Sequence, residues 1–112
     1  MCLFCKIINK EIPADIVYEN DKVIAFRDIN PQARVHVLIL PKIHIENIRD
    51  ITDENKHIIG DIHLIANEVA KKLGVYESGY RLITNCGNDA GQTVMHLHYH
   101  LIAGQRLGEK II

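Results

Sequence analysis

His96-Leu97-His98-Tyr99-His100-Leu101-Ile102 places three histidines at alternate positions and follows them with two apolar residues. Alternation with a period of two is the pattern of a half-buried strand. Successive side chains on a strand point to opposite faces, so the three imidazoles share one face while Leu97, Tyr99 and Leu101 enter a core. The spacing predicts a strand from Met95 to Ala103. The plain alternative is a row of solvated histidines on an edge strand.

The neighbouring segments supply a sheet for this strand. Tyr80 to Asn85 reads as a strand, and Gly87-Asn88-Asp89-Ala90-Gly91 as the turn that follows it. Val35 to Leu40 is rich in β-branched residues and is stopped by Pro41. Ile16 to Tyr18 and Val23 to Asp28 flank Glu19-Asn20-Asp21, whose Asn and Asp suit a hairpin turn. Residues 3 to 11 carry apolar residues at helical spacing and predict a short opening helix, ended by Pro13. Residues 53 to 73 predict one long helix, with Ile58, Ile62, Ile65, Val69 and Leu73 forming an apolar stripe. Thr52 or Asp53 can cap its start, Lys71 and Lys72 suit its C-terminal end, and Gly74 stops it. The order is helix, three strands, long helix, two strands. This is an α+β class with an antiparallel sheet of about five strands.

Length and composition bound the function. The 112 residues suggest one domain spanning 1–112, with 47% apolar and 24% charged residues and a net charge of −1. Such a chain is neither disordered, collagen-like nor coiled-coil. Its charge argues against a nucleic-acid partner held through phosphates. No apolar run reaches the roughly 20 residues of a membrane span. No charged-then-apolar leader is visible, so the expected location is the cytoplasm. The three cysteines, Cys2, Cys5 and Cys86, suit a metal site better than a disulfide framework.

The seven histidines carry the chemistry. Alternate strand residues lie about 6.6 Å apart, so the outer two of the row are about 13 Å apart at the backbone. One zinc needs its nitrogen donors at about 2.0–2.1 Å, so the row cannot easily close on a single ion, and at least one histidine is free for other work. The row is preceded by Gly91-Gln92-Thr93. Glycines let backbone N–H groups approach an anion, and Gln92 and Thr93 add side-chain donors. A glycine turn running into imidazoles suits a phosphate ester or phosphoramidate. One histidine can attack phosphorus while a neighbour, kept protonated, neutralises phosphate oxygens or protonates the leaving group. That chemistry needs no bound magnesium.

Cys2-Leu3-Phe4-Cys5 has a redox, a zinc and a bland reading. Nothing precedes it to form the strand a redox motif expects. A zinc site needs two further ligands, for which His44 and His96 are the candidates. His36 is either a satisfied core histidine or part of the site. Asp28, at a strand end, either caps a turn or holds ribose hydroxyls. His57 and His63, on the long helix, suit surface or interface positions, and Cys86 a small filler.

The row, together with Phe26 to Ala33, His36 to Lys42, Asn85 and Gly91-Gln92-Thr93, resembles the histidine triad (HIT) family, in its Hint-like branch. The resemblance runs from about Phe4 to Gly104. It implies a homodimer with one sheet continuous across both subunits, joined through the long helix and a strand. It implies a purine nucleotide substrate and hydrolysis of nucleoside 5′-phosphoramidates. His98 would be the nucleophile that forms a nucleotidyl-histidine, and His100 would contact the phosphate. Thr93 stands where the branch usually has Ser beside the leaving group, and His36 would belong to a proton relay. Asp28 would hold the ribose, with Asn85 near the phosphate. Leu3, Phe4, Ile7, Phe26, Ile29 and Leu38 would line the base pocket. Cys2, Cys5, His44 and His96 resemble the zinc set of zinc-binding members. A dinucleoside polyphosphate hydrolase or nucleotidyl transferase would use the same His98. A non-catalytic nucleotide-binding module with structural zinc is the remaining alternative.

Overall fold

A computed structural model describes residues 1–112. The elements are helix α1 (Leu3–Ile8), strands β1 (Ile16–Glu19), β2 (Val23–Arg27) and β3 (Val35–Pro41), a 3-10 helix (Ile48–Asp50), helix α2 (His57–Lys72), and strands β4 (Tyr80–Thr84) and β5 (Tyr99–Ala103). The strands form one antiparallel sheet in the order β1-β2-β3-β5-β4. No helix is long and apolar enough to cross a membrane.

Strand alternation divides the apolar residues between two layers. Val23 and Ala25 of β2, Val37 and Ile39 of β3, and Tyr99, Leu101 and Ala103 of β5 face α2, whose Ile58, Ile62, Ile65, Ala66, Val69 and Ala70 complete the main core. Ile24 and Phe26 of β2 and Leu38 and Leu40 of β3 face the other way and meet Phe4 and Ile7 of α1. Burying apolar side chains of this size stabilises the fold by about 1.5–3 kcal/mol each before chain entropy is counted. Helix α1 is too short to cover that whole second face. It roofs β2 and β3, and its Phe4 also packs edge-on against His96 and His98, which are buried, while His100 on β5 stays half-buried beyond it.

Three boundaries and one element differ from the sequence expectation. Helix α1 ends at Ile8, not residue 11, because Lys10 turns into positive φ (+63°). Strand β5 begins at Tyr99, not Met95, because the chain before it bonds elsewhere: Leu97 N–H donates to the Ile45 carbonyl at 2.6 Å. The alternation still holds there, since Leu97 is in the main core and His96 and His98 are on the other face. Helix α2 starts at His57, not residue 53, and Lys56 gives it no side-chain cap. Asn55 instead draws the chain into turns, accepting from Thr52 N–H at 2.6 Å and donating to the Asp50 carbonyl at 3.1 Å. The 3-10 helix, not anticipated, is capped reciprocally by Asn47 and Asp50. The hairpin turn is as expected, with Asn20 Oδ1 accepting from Lys22 and Val23 N–H. Strand β5 lies between β3 and β4, so the histidines are not on an edge strand.

Candidate active site and metal centre

Two cavities flank His100. One, of about 370 Å³, is walled by Phe4, Ile7, Phe26 and Leu38, with Asp28, Thr93 and His98 at its polar end and Leu3 and Ile29 at its rim. Phe4 meets Phe26 edge-on, their ring centres 5.7 Å apart. The other, of about 650 Å³, is bordered by Gln32, His36, Arg81, Asn85 and Ile102, with the C-terminal Ile111 and Ile112 at its edge. Thr93 and Asn85 therefore stand on different sides of His100.

Hydrogen bonds fix which nitrogen of each histidine is available. His98 Nδ1–H donates to the His96 carbonyl at 2.7 Å, so its Nε2 carries the lone pair. The ring is buried, and burial lowers its pKa and keeps it neutral at pH 7. Phe4 holds it edge-on with centroids 5.0 Å apart.

His36 accepts from the Gln32 backbone N–H through Nδ1 at 3.0 Å, so its proton sits on Nε2. That nitrogen donates to His100 Nδ1 at 2.9 Å and lies 3.5 Å from Asp28 Oδ2. His100 Nδ1 is thus an acceptor, and His100 carries Nε2–H. Burial first, then the nearby His98 and His36, push the His100 pKa down to about 4. The expected protonated neighbour is not found at His100, which is a neutral donor. Asp28, His36 and His100 bring a carboxylate and two imidazoles within metal-binding reach of one another. The Gln32 amide nevertheless obliges His36 to present a proton there, not a lone pair. Asp28 Oδ1 also accepts from Asn30 N–H at 2.8 Å, the turn cap that the sequence allows, and the residue borders the cavity.

Cys2, Cys5, His44 and His96 converge at the other end of the row. His96 Nδ1 lies 3.5 Å from Cys2 Sγ, 3.6 Å from Cys5 Sγ and 3.2 Å from His44 Nδ1. His44 Nδ1 lies 3.6 and 3.4 Å from the two sulfurs. A tetrahedral zinc site requires about 3.3 Å between nitrogens and about 3.6 Å between nitrogen and sulfur, so the donors fit that ion. Beyond the ligands, His96 Nε2–H donates to the Pro41 carbonyl at 2.8 Å, which turns the Nδ1 lone pair toward the cluster. Burial lowers the His96 pKa and keeps that lone pair free. Burial, then the hydrogen bond from Cys2, raises Cys5, a penalty on the thiolate that a bound cation would offset.

The loop before the row departs from expectation at one residue. Gln92 is buried, with its carboxamide turned inward to Glu46, Asn47, Gly87 and Val94 and not toward the cavity. Its donors are engaged by the fold, so they are not the phosphate donors that the glycine-rich sequence suggested. Gly87 (φ +88°) and Gly91 (φ +83°) occupy backbone space that L side chains rarely adopt, which is why the turn needs glycine there. Gln32 and Asn47 were not anticipated. Gln32 acts through its main chain and leaves no side-chain signal, whereas the Asn47…Asp50 spacing is a capping signature that the sequence does carry. His57 and His63 are exposed, in keeping with surface positions.

A family profile described as HIT domain matches residues 9–107. The purine nucleoside phosphoramidase of Escherichia coli (strain K12) is 47% identical over 106 residues, covering 95% of this chain and 89% of that protein. A HIT family hydrolase from Clostridium thermocellum superposes with a TM-score of 0.97 at 59% identity, over 99% of this chain and 96% of that one. A histidine triad nucleotide-binding protein from Candida albicans superposes with a TM-score of 0.82 at 35% identity, over 100% of this chain and 85% of that one.

Proposed function

The chain belongs to the HIT family and is a nucleotide hydrolase, and we propose that it cleaves purine nucleoside 5′-phosphoramidates at the α-phosphate through a covalent nucleotidyl-histidine on His98. The observation that carries this reading is the His98 tautomer. A neutral buried imidazole, with its Nδ1 proton tied to the His96 carbonyl, faces the cavity with a nucleophilic Nε2. The 47% identity to a purine nucleoside phosphoramidase supports the substrate class.

The purine enters between Phe4, Ile7, Phe26 and Leu38, with Ile29 at the mouth, and Asp28 takes the ribose hydroxyls. His98 Nε2 attacks phosphorus, the P–N bond breaks with its electron pair going to nitrogen, and the leaving amine takes up a proton from solvent relayed through the Thr93 hydroxyl, a proton that the later hydrolysis by water returns. His100 Nε2–H donates to a phosphate oxygen and is held in that tautomer by His36 and, through it, by Gln32. Asn85, with the backbone of Gly91 and Gln92, lines the phosphate side. Water then cleaves the phosphoimidazole, giving the nucleoside monophosphate and restoring neutral His98. Each step needs proton donors and one nucleophile, and magnesium is not required.

Cys2, Cys5, His44 and His96 would hold zinc. When bound, the ion would cross-link α1 to the start of the histidine row and so serve structure and not chemistry. The reading includes a homodimer: β4 is a sheet edge of half-buried residues, and α2 presents Gly60, His63 and Leu64 outward. The test is hydrolysis of adenosine 5′-phosphoramidate by wild type and His98→Ala, in which the variant loses activity if the reading holds.

A further inference from the structure

We propose that Gln92 is a positioning residue that sets the phosphate-side loop from inside the protein; this rests on the functional reading above. Its side chain is 5% exposed, yet all its hydrogen-bonding capacity is used. Nε2–H donates to the Glu46 carbonyl at 2.7 Å and to the Val94 carbonyl at 3.2 Å. Oε1 accepts from Gly87 N–H at 3.0 Å and from Asn47 Nδ2–H at 3.2 Å. Two carbonyls face one end of the amide and two donors face the other, so the orientation is unambiguous.

The geometry makes one side chain a clamp for the whole turn. Gln92 N–H also donates to the Gly87 carbonyl at 3.1 Å, so residues 87 and 92 are joined by two reciprocal bonds that close the loop. The carboxamide then fastens the closed loop to Glu46 and Asn47. That segment is itself fixed: Asn47 Oδ1 accepts from Arg49 N–H at 3.1 Å, and the Ile45 carbonyl accepts from Leu97 N–H at 2.6 Å within the histidine row. Thr93 is the next residue on one side of the clamp, and Asn85 lies two residues before Gly87 on the other. These two border the cavities on either side of His100. The base walls of the nucleoside pocket come from α1, β2 and β3, and the clamp reaches that pocket only at its edge, through the Val94 carbonyl beside Thr93. Losing Gln92 therefore loosens the phosphate end of the site more than the nucleoside end.

This separation supplies the test. Adenosine and AMP affinities are measured by calorimetry for wild type, Gln92→Met and Asn47→Asp, each checked for a cooperative thermal transition. Met keeps the length and removes every side-chain hydrogen bond, leaving the main-chain bond to Gly87. Asp keeps the acceptor that caps the 3-10 helix and removes the donor to Gln92. Gln92→Met should weaken AMP about tenfold and lower kcat on adenosine 5′-phosphoramidate about a hundredfold, with adenosine affinity unchanged within about twofold. Asn47→Asp should lose less, in the same pattern. Equal weakening of both ligands in Asn47→Asp, or AMP affinity unchanged in either folded variant, would overturn the clamp. Wild-type protein that binds neither ligand would overturn the functional reading and the clamp with it.

Discussion

His98 gives its Nδ1 proton to the carbonyl of His96, two residues earlier, at 2.7 Å. The same main chain that carries a proposed metal ligand thus orients the proposed nucleophile. The two imidazoles are used in opposite senses: His96 turns Nδ1 to Cys2, Cys5 and His44 and Nε2–H to Pro41, while His98 ties Nδ1–H to the backbone and frees Nε2. This explains how a row of three can serve two sites without competition.

The acid limb of activity follows from burial. Burial lowers the His98 pKa below the usual 6.5, so the neutral nucleophile persists to lower pH than in a free histidine. The kcat/KM profile for adenosine 5′-phosphoramidate, which reports the free enzyme, should have its acid midpoint below 6.5. A midpoint at or above 6.5 would contradict the assignment.

Stability should follow pH in the same direction. Burial above all pushes the His100 pKa in the folded protein down to about 4, against about 6.5 for a free histidine, so between those values the unfolded chain binds the extra proton. The contribution is fully present above about 6.5 and is lost as pH falls toward about 4. Tm measured from pH 7 to pH 4.5 should fall, and His100→Gln should flatten that slope.

Phe4 joins packing to binding. It is 5% exposed and packs edge-on against Phe26 and His98. Phe4→Ala should cost about 3 kcal/mol in urea unfolding and weaken adenosine binding, because the same ring fills the core and walls the cavity.

The turn after β5 tests backbone strain. Gly104 has φ +84°, and a Cβ there would lie 3.1 Å from Arg34 Cβ and from Val35 Cγ2. Gly104→Ala should destabilise by about 2 kcal/mol, read as a shift in denaturation midpoint at constant slope.

Metal content is checked directly. Elemental analysis should give one zinc per chain, and a chelator should lower Tm. Cys5→Ser should bind less than one zinc, and its Tm should be insensitive to the chelator.

Much of this was legible from periodicity. The two-residue alternation of the row puts Leu97, Tyr99 and Leu101 in the core and the histidines opposite, and the stripe from Ile58 to Val69 faces the sheet. Both patterns are local, and burial enforces them. Structure and sequence pattern part where a long-range bond decides the local conformation. Leu97 pairs with Ile45 and not with a strand, which delays β5, and Asn55 holds turns that delay α2. Gln92 reads as a surface donor in a glycine turn, and its inward orientation depends on Glu46 and Asn47 some 45 residues away. The Gln32 amide, which sets the tautomers of His36 and His100, has no side-chain signature at all.

The most direct measurement is intact-protein mass spectrometry of rapidly quenched mixtures with adenosine 5′-phosphoramidate, for wild type and His98→Ala. Wild type should release AMP and show a transient adduct of one adenylyl group, and the variant should show neither. AMP release at an unchanged rate by His98→Ala would contradict covalent catalysis at His98.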